Sequence, residues 1–226
     1  MNIKSFRPKA CVILVGTNNM TVDNAADIAA GVRAVKDKAR QLYPEAKIIL
    51  LSITPRQDYP DKVKAVDDMI ADMADGKSVF YYDLASYMTP QAGGWKGIGG
   101  DHLHYSPEGY EIWIWASHME PLLYKLMSMP QGVPASDLLP RGKPLNIPAS
   151  GPKLKIACVG DSITWGVGAT SRADTYPAIL GDLLGPNVEV RNFGESGGPC
   201  SRRATRPTGS APATPPAPRT IRTSSS

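Results

Sequence analysis

Five short runs of apolar residues constrain this chain more than any other feature. Ala10-Cys-Val-Ile-Leu-Val15, Lys47-Ile-Ile-Leu-Leu-Ser-Ile53, Val79-Phe-Tyr-Tyr-Asp83, Leu154–Val159 and Val188-Glu-Val-Arg-Asn192 are each strand-length and rich in β-branched or aromatic residues. Most lack the polar alternation of a half-exposed strand, so they read as strands buried on both faces. Between them the pattern changes period. Ile28, Val32, Val35 and Leu42 recur at helical spacing over 25–42, before Pro44. Val63, Val66, Ile70 and Met73 form a second apolar stripe that ends at Gly76. Ser106-Pro107-Glu108 supplies a cap, a first-turn proline and an early acid for a helix expected to reach about Met127. Another helix is expected over 175–184. Strands alternating with helices imply an α/β chain with a mostly parallel sheet.

Two stretches break this pattern. Residues 128–152 are rich in Pro and Gly without a period and are expected to be a linker. Residues 201–226 consist almost wholly of Ser, Arg, Ala, Thr, Pro and Gly and are expected to be disordered. The chain therefore divides into 1–127, the linker 128–152, a segment 153–200 and the tail 201–226.

The formal charge of +4 belongs to that tail, which carries five arginines and no acid; the remainder holds twenty basic and twenty-one acidic residues. A nearly neutral body gives no electrostatic footprint for nucleic acid, and neither nucleic acid nor a membrane is an expected partner. No apolar run approaches the ~18 residues of a spanning helix, and the first residues are not those of a signal peptide, so a cytoplasmic protein is expected. Cys11, Cys158 and Cys200 have no metal or redox spacing, and the first two sit in apolar runs as inert core residues.

Four short motifs carry candidate chemistry, and two of them have a plain structural reading. Gly160-Asp-Ser162-Ile-Thr164 could be a strand-to-helix turn capped by Asp161 or Ser162. Gly16-Thr-Asn18-Asn19 has ordinary turn composition. Asp101-His-Leu-His104 offers metal-ligand types, but no further ligand is apparent, so no metal and no cofactor are expected. Asn192-Phe-Gly-Glu-Ser-Gly197 follows the last apolar run. His102 and His118 are expected to be surface or packing residues. In an open parallel sheet, all four motifs fall at the carboxyl ends of strands or in a loop beside them, where ligands bind.

Taken together the four motifs resemble those of the SGNH (GDSL) hydrolase family. Residues 12–121 are most similar to its platelet-activating-factor-acetylhydrolase branch, and 153–198 to its carbohydrate O-acetylesterases. The resemblance implies a three-layer α/β/α flavodoxin-like fold with a five-stranded parallel sheet of order 2-1-3-4-5. It implies a serine ester hydrolase acting through an acyl-enzyme. Ser162 would be the nucleophile, His104 its base and Asp101 the partner of His104. The oxyanion hole would be made by the N–H groups of Ser162 and Gly197 and the Asn18 side chain. A small-molecule ester of short acyl chain, such as an acetyl ester of a sugar or aryl alcohol, is the implied substrate.

The order of the motifs departs from the family's. The asparagine and histidine motifs come first, and the serine and glycine motifs follow the linker. A circular permutation gives this order with every strand in place, and 25 linker residues extended at ~3.3 Å each have ample reach. A homodimer with Ser162 of one copy meeting His104 of another is the other assembly that completes the site. Two further expectations differ in function: a non-catalytic binding remnant of a tandem protein, and a lysophospholipase or thioesterase using the same residues.

Overall fold

The computed structural model describes residues 5–115 and 152–197. The linker, the tail, Cys200, His118 and the far end of the third helix lie outside the described residues.

Five parallel strands form the central sheet: β1 (Ala10–Leu14), β2 (Lys47–Leu51), β3 (Val79–Tyr82), β6 (Leu154–Gly160) and β7 (Val188–Gly194). Their spatial order is β3-β2-β1-β6-β7. The strands sort their side chains by alternation. Ala10, Val12, Leu14, Ile49, Leu51, Ile156 and Cys158 face one core, shared with Tyr105, Tyr110, Tyr176, Leu180 and Leu184. Ile13, Ile48 and Leu50 face the other, shared with Ile28, Val32, Val63, Val66 and Ile70. The first core is covered by α3 (Pro107–Trp115) and α5 (Tyr176–Leu184), the second by α1 (Ala25–Leu42) and α2 (Pro60–Ala71). The result is the expected three-layer α/β/α architecture.

Helix α1 has the bounds its periodicity predicts, with Asn24 as N-cap accepting from the Asp27 N–H. Helix α2 ends earlier than its apolar stripe suggests: Met73 is buried beyond the last helical turn. The chain there turns through Asp75, whose carboxylate accepts from the N–H groups of Lys77, Ser78 and Val79. Such a side-chain cap competes with further helix. The Gly-rich stretch 93–100 is not all loop. Gly94–Trp95 (β5) pairs antiparallel with Pro90–Gln91 (β4), a hairpin too short to leave a periodic signal.

The two described segments meet first in the sheet, where Ala10 pairs with Ile156 and each following residue in step as far as Leu14 with Gly160. They meet again through Tyr110. Its hydroxyl lies 2.9 Å from both the Ile163 and the Val167 carbonyls, and its ring packs edge-on to Tyr105 at 5.3 Å. Cys11 and Cys158 are fully buried, and burial pushes the Cys11 thiol up to about 12 and that of Cys158 higher still. Tyr110→Phe should lower stability by about 1 kcal/mol, since it removes the hydroxyl's hydrogen bonding to the Ile163 and Val167 carbonyls without changing the ring. Urea unfolding of both proteins measures this.

Candidate active site

Three strands end level with one another. Leu14 of β1 is in register with Gly160 of β6, and Gly160 with Gly194 of β7. The three loops that follow therefore leave the same edge of the sheet side by side. They carry Asn18, Ser162 and Gly197 respectively. Asn18 lies in a 3-10 turn, Thr17–Asn19, half-buried after Gly16. Gly197 is exposed with a φ of 85°, three residues past β7.

Ser162 opens α4 (Ser162–Trp165), one short turn of helix folded back against the strand ends. Asp161 is its N-cap and accepts from the Ile163 N–H at 3.1 Å. One turn thus carries both the cap, Asp161, and the candidate nucleophile, Ser162. The close fold-back needs two residues without side chains. A Cβ on Gly160 would overlap Thr164 and the Leu14 carbonyl, and one on Gly194 would overlap the Trp165 nitrogen. Asn192 fastens the same junction, its amide donating to the Thr164 carbonyl at 2.6 Å and its oxygen accepting from the Gly194 N–H.

His104 arrives from the other segment on a tightly closed loop. The Gly99 N–H donates to the His104 carbonyl at 2.7 Å and the Ser106 N–H to the Gly97 carbonyl at 3.0 Å. Asp101 organises this loop through one carboxylate. Its Oδ1 accepts from the N–H groups of Leu103 and His104, and its Oδ2 lies 2.6 Å from His104 Nδ1. His102, between them, takes a left-handed φ of 56° and is exposed. Tyr105 anchors the loop in the core.

His104 Nε2 lies 2.8 Å from Ser162 Oγ, within a single chain. Partial burial opposes ionisation of Asp101, but the hydrogen bond with His104 and the two backbone donors outweigh it and hold the carboxyl at about 2. An ionised carboxylate only accepts, so His104 Nδ1 carries the proton. Nε2 is then the acceptor for the serine hydroxyl. Ser162 is 4 % exposed, and the His104 side chain is 19 % exposed. Chemically, the row is a hydroxyl, a base able to take its proton, and an anion able to stabilise the resulting imidazolium.

The structure brings Asp101, His104 and Ser162 into one hydrogen-bonded row and sets the Asn18 and Gly197 loops on the same sheet edge. Sequence reasoning missed the residues that seat this row. Tyr110 and Asn192 do so by hydrogen bonds. Gly168 does so by its lack of a side chain, since a Cβ there would overlap the Tyr105 carbonyl. These contacts join residues far apart in sequence, and only the glycines leave a local trace. Among the described residues, no group of three or more His, Cys, Asp or Glu could hold a metal ion. No helix among them is long and apolar enough to cross a membrane. A cavity of about 360 Å³ lies elsewhere, between α2 and the end of β3, lined by Arg56, Asp67, Tyr81 and Trp95 among others.

A five-stranded parallel sheet between helix layers, with a serine motif at the end of an interior strand, is consistent with the SGNH/GDSL three-layer fold. Residues 2–112 match the model of the GDSL-like lipase/acylhydrolase family. The chain is 25 % identical over 145 residues to platelet-activating factor acetylhydrolase IB subunit alpha1 of Rattus norvegicus, covering 61 % of this chain and 62 % of the relative. It is 30 % identical over 143 residues to the subunit beta homolog of Drosophila melanogaster, with 61 % and 62 % covered. The chain thus spans about three fifths of the length of these relatives.

Burial pushes the Asp161 carboxyl up to about 6, against the opposing pull of the Ile163 N–H and His104. The folded protein therefore holds this proton more tightly than the unfolded chain, and stability falls as pH rises from about 4 through 6. Asp161→Asn keeps the capping oxygen and removes the titration. Its melting temperature relative to the parent should rise between pH 4 and pH 7, as thermal denaturation at the two pH values would show.

Proposed function

We propose that this protein is a serine ester hydrolase that cleaves short-chain acyl esters, acetyl esters above all, through an acyl-enzyme. The observation that carries the reading is the intrachain row Asp101–His104–Ser162, with spacings of 2.6 and 2.8 Å. His104 Nε2 takes the hydroxyl proton as Ser162 Oγ attacks the acyl carbonyl. The oxyanion that forms is met by the N–H groups of Ser162 and Gly197 and the Asn18 amide. Collapse breaks the bond to the alcohol oxygen, which leaves with the proton from His104. Water, deprotonated by His104, then attacks the acyl-serine and releases the acid. Asp101 keeps the tautomer and stabilises the imidazolium in both halves. No step requires a metal or an organic cofactor.

The acetyl preference is supported by the relatives, whose names describe an acetylhydrolase. The alcohol is proposed to be a sugar or aryl group, a reading that rests on the resemblance of the sequence motifs in 153–198 to those of carbohydrate O-acetylesterases. We further propose that the chain is a circularly permuted member of its family. The parallel sheet order β3-β2-β1-β6-β7, with the serine-bearing strand beside β1, supports this. Because Ser162 meets His104 in one chain, no exchange between copies is needed to join them.

Hydrolysis of p-nitrophenyl acetate tests the reading. Ser162→Ala and His104→Ala should each lower kcat by about a thousandfold or more. Asn18→Ala should lower it by about a hundredfold, corresponding to the loss of one oxyanion donor. Equal hydrolysis by Ser162→Ala and the parent protein overturns the proposal.

A further inference from the structure

Helix α4 holds an anomaly. Ser162, Ile163 and Thr164 are 4 %, 0 % and 0 % exposed, yet Trp165, the next residue, is 44 % exposed. A surface indole forgoes the burial that large aromatic side chains ordinarily supply. This one is nevertheless held rather than left loose. The Arg172 guanidinium sits 4.0 Å from the ring centroid, and its Nη1 donates to the Trp165 carbonyl at 2.9 Å. Arg172 is fixed in turn, because its carbonyl accepts from the buried Thr175 hydroxyl at 3.0 Å. On the opposite flank, the Trp165 backbone lies against Gly194 at the end of β7.

The position matters as much as the bracing. Trp165 is three residues after Ser162 in one helical turn, so the two side chains are neighbours on the helix surface, with Cβ atoms about 5–6 Å apart. An exposed indole one helical turn from Ser162, backed by a guanidinium, offers a flat surface close to the row. Such a surface suits the C–H face of a pyranose or the face of an aryl ring. A small aliphatic alcohol gives it nothing to stack on.

We propose that Trp165, braced by Arg172, is the leaving-group subsite and selects esters whose alcohol carries a ring with an apolar face to stack on the indole. The proposal rests on the ester hydrolase reading and adds the residues that recognise the alcohol. Trp165 sets specificity, and Arg172 is a positioning residue that acts through the ring.

The test compares kcat/KM for three acetates with the same acyl group: phenyl acetate, a monoacetylated methyl pyranoside and ethyl acetate. In Trp165→Ala, selectivity for at least one ring ester over ethyl acetate should fall about five- to tenfold, chiefly through KM. Trp165→Phe should retain most of the selectivity, and Arg172→Gln should fall between the two. A loss confined to the pyranoside assigns the subsite to carbohydrate; one confined to phenyl acetate assigns it to aryl esters. Unaltered selectivity in Trp165→Ala overturns the proposal, as does an equal loss in Trp165→Phe. Saturation-transfer NMR with methyl xylopyranoside and benzyl alcohol separates this proposal from the reading beneath it. If the parent protein turns over none of the esters but binds a ring through Trp165, the hydrolase reading falls and the ring platform stands. If neither ring compound binds and no ester is turned over, both fall.

Discussion

The pairing of β1 with β6 is the interaction on which the rest of the molecule depends. Among the described residues it is the one strand contact between the segment bearing His104 and the segment bearing Ser162. Its register levels the ends of β1, β6 and β7 and so fixes which loops become neighbours. A shift of one residue would exchange the two faces of β6, moving Ile156 and Cys158 out of the core they share with Val12 and Leu14. Burial on both faces therefore protects the register, and the register sets the spacing at the sheet edge.

Much of the fold was legible because its signals are local. The apolar runs located all five sheet strands, and the stripe at 28, 32, 35 and 42 gave α1 the bounds observed. Asp101 and His104 could be expected on one loop because three residues of spacing leave little alternative. The hairpin 90–95 was not legible, since two-residue strands have no period. The end of α2 is not legible either, because Met73 continues the apolar stripe while Asp75 caps the following turn. The roles of Tyr110, Asn192 and Gly168 were hidden for a different reason. Each depends on a partner that the chain reaches only after the sheet has formed.

The serine turn and the histidine loop solve a similar problem by different means. Around Ser162 the backbone is compressed, and glycines at 160 and 194 give the helix room to fold back. Around His104 the backbone is tied to itself, and a single carboxylate satisfies two N–H groups and one imidazole. The first arrangement relies on absent side chains and the second on an extra charge. The two carboxyls also shift in opposite directions although both cap a turn: burial pushes Asp161 up, and hydrogen bonds to the carboxylate pull the exposed Asp101 down.

The β1–β6 pairing also bears on how fast the molecule can be built. Ala10 and Ile156 are partners separated by nearly 150 positions, so the centre of the sheet is its least local contact. Chains that must close such distances before gaining their core fold slowly. Closure entropy, however, grows only with the logarithm of loop length, about 0.6 kcal/mol for each doubling. The route between the two strands can therefore be long, short or differently composed at little thermodynamic expense. What it governs is the waiting time before the two halves first find one another.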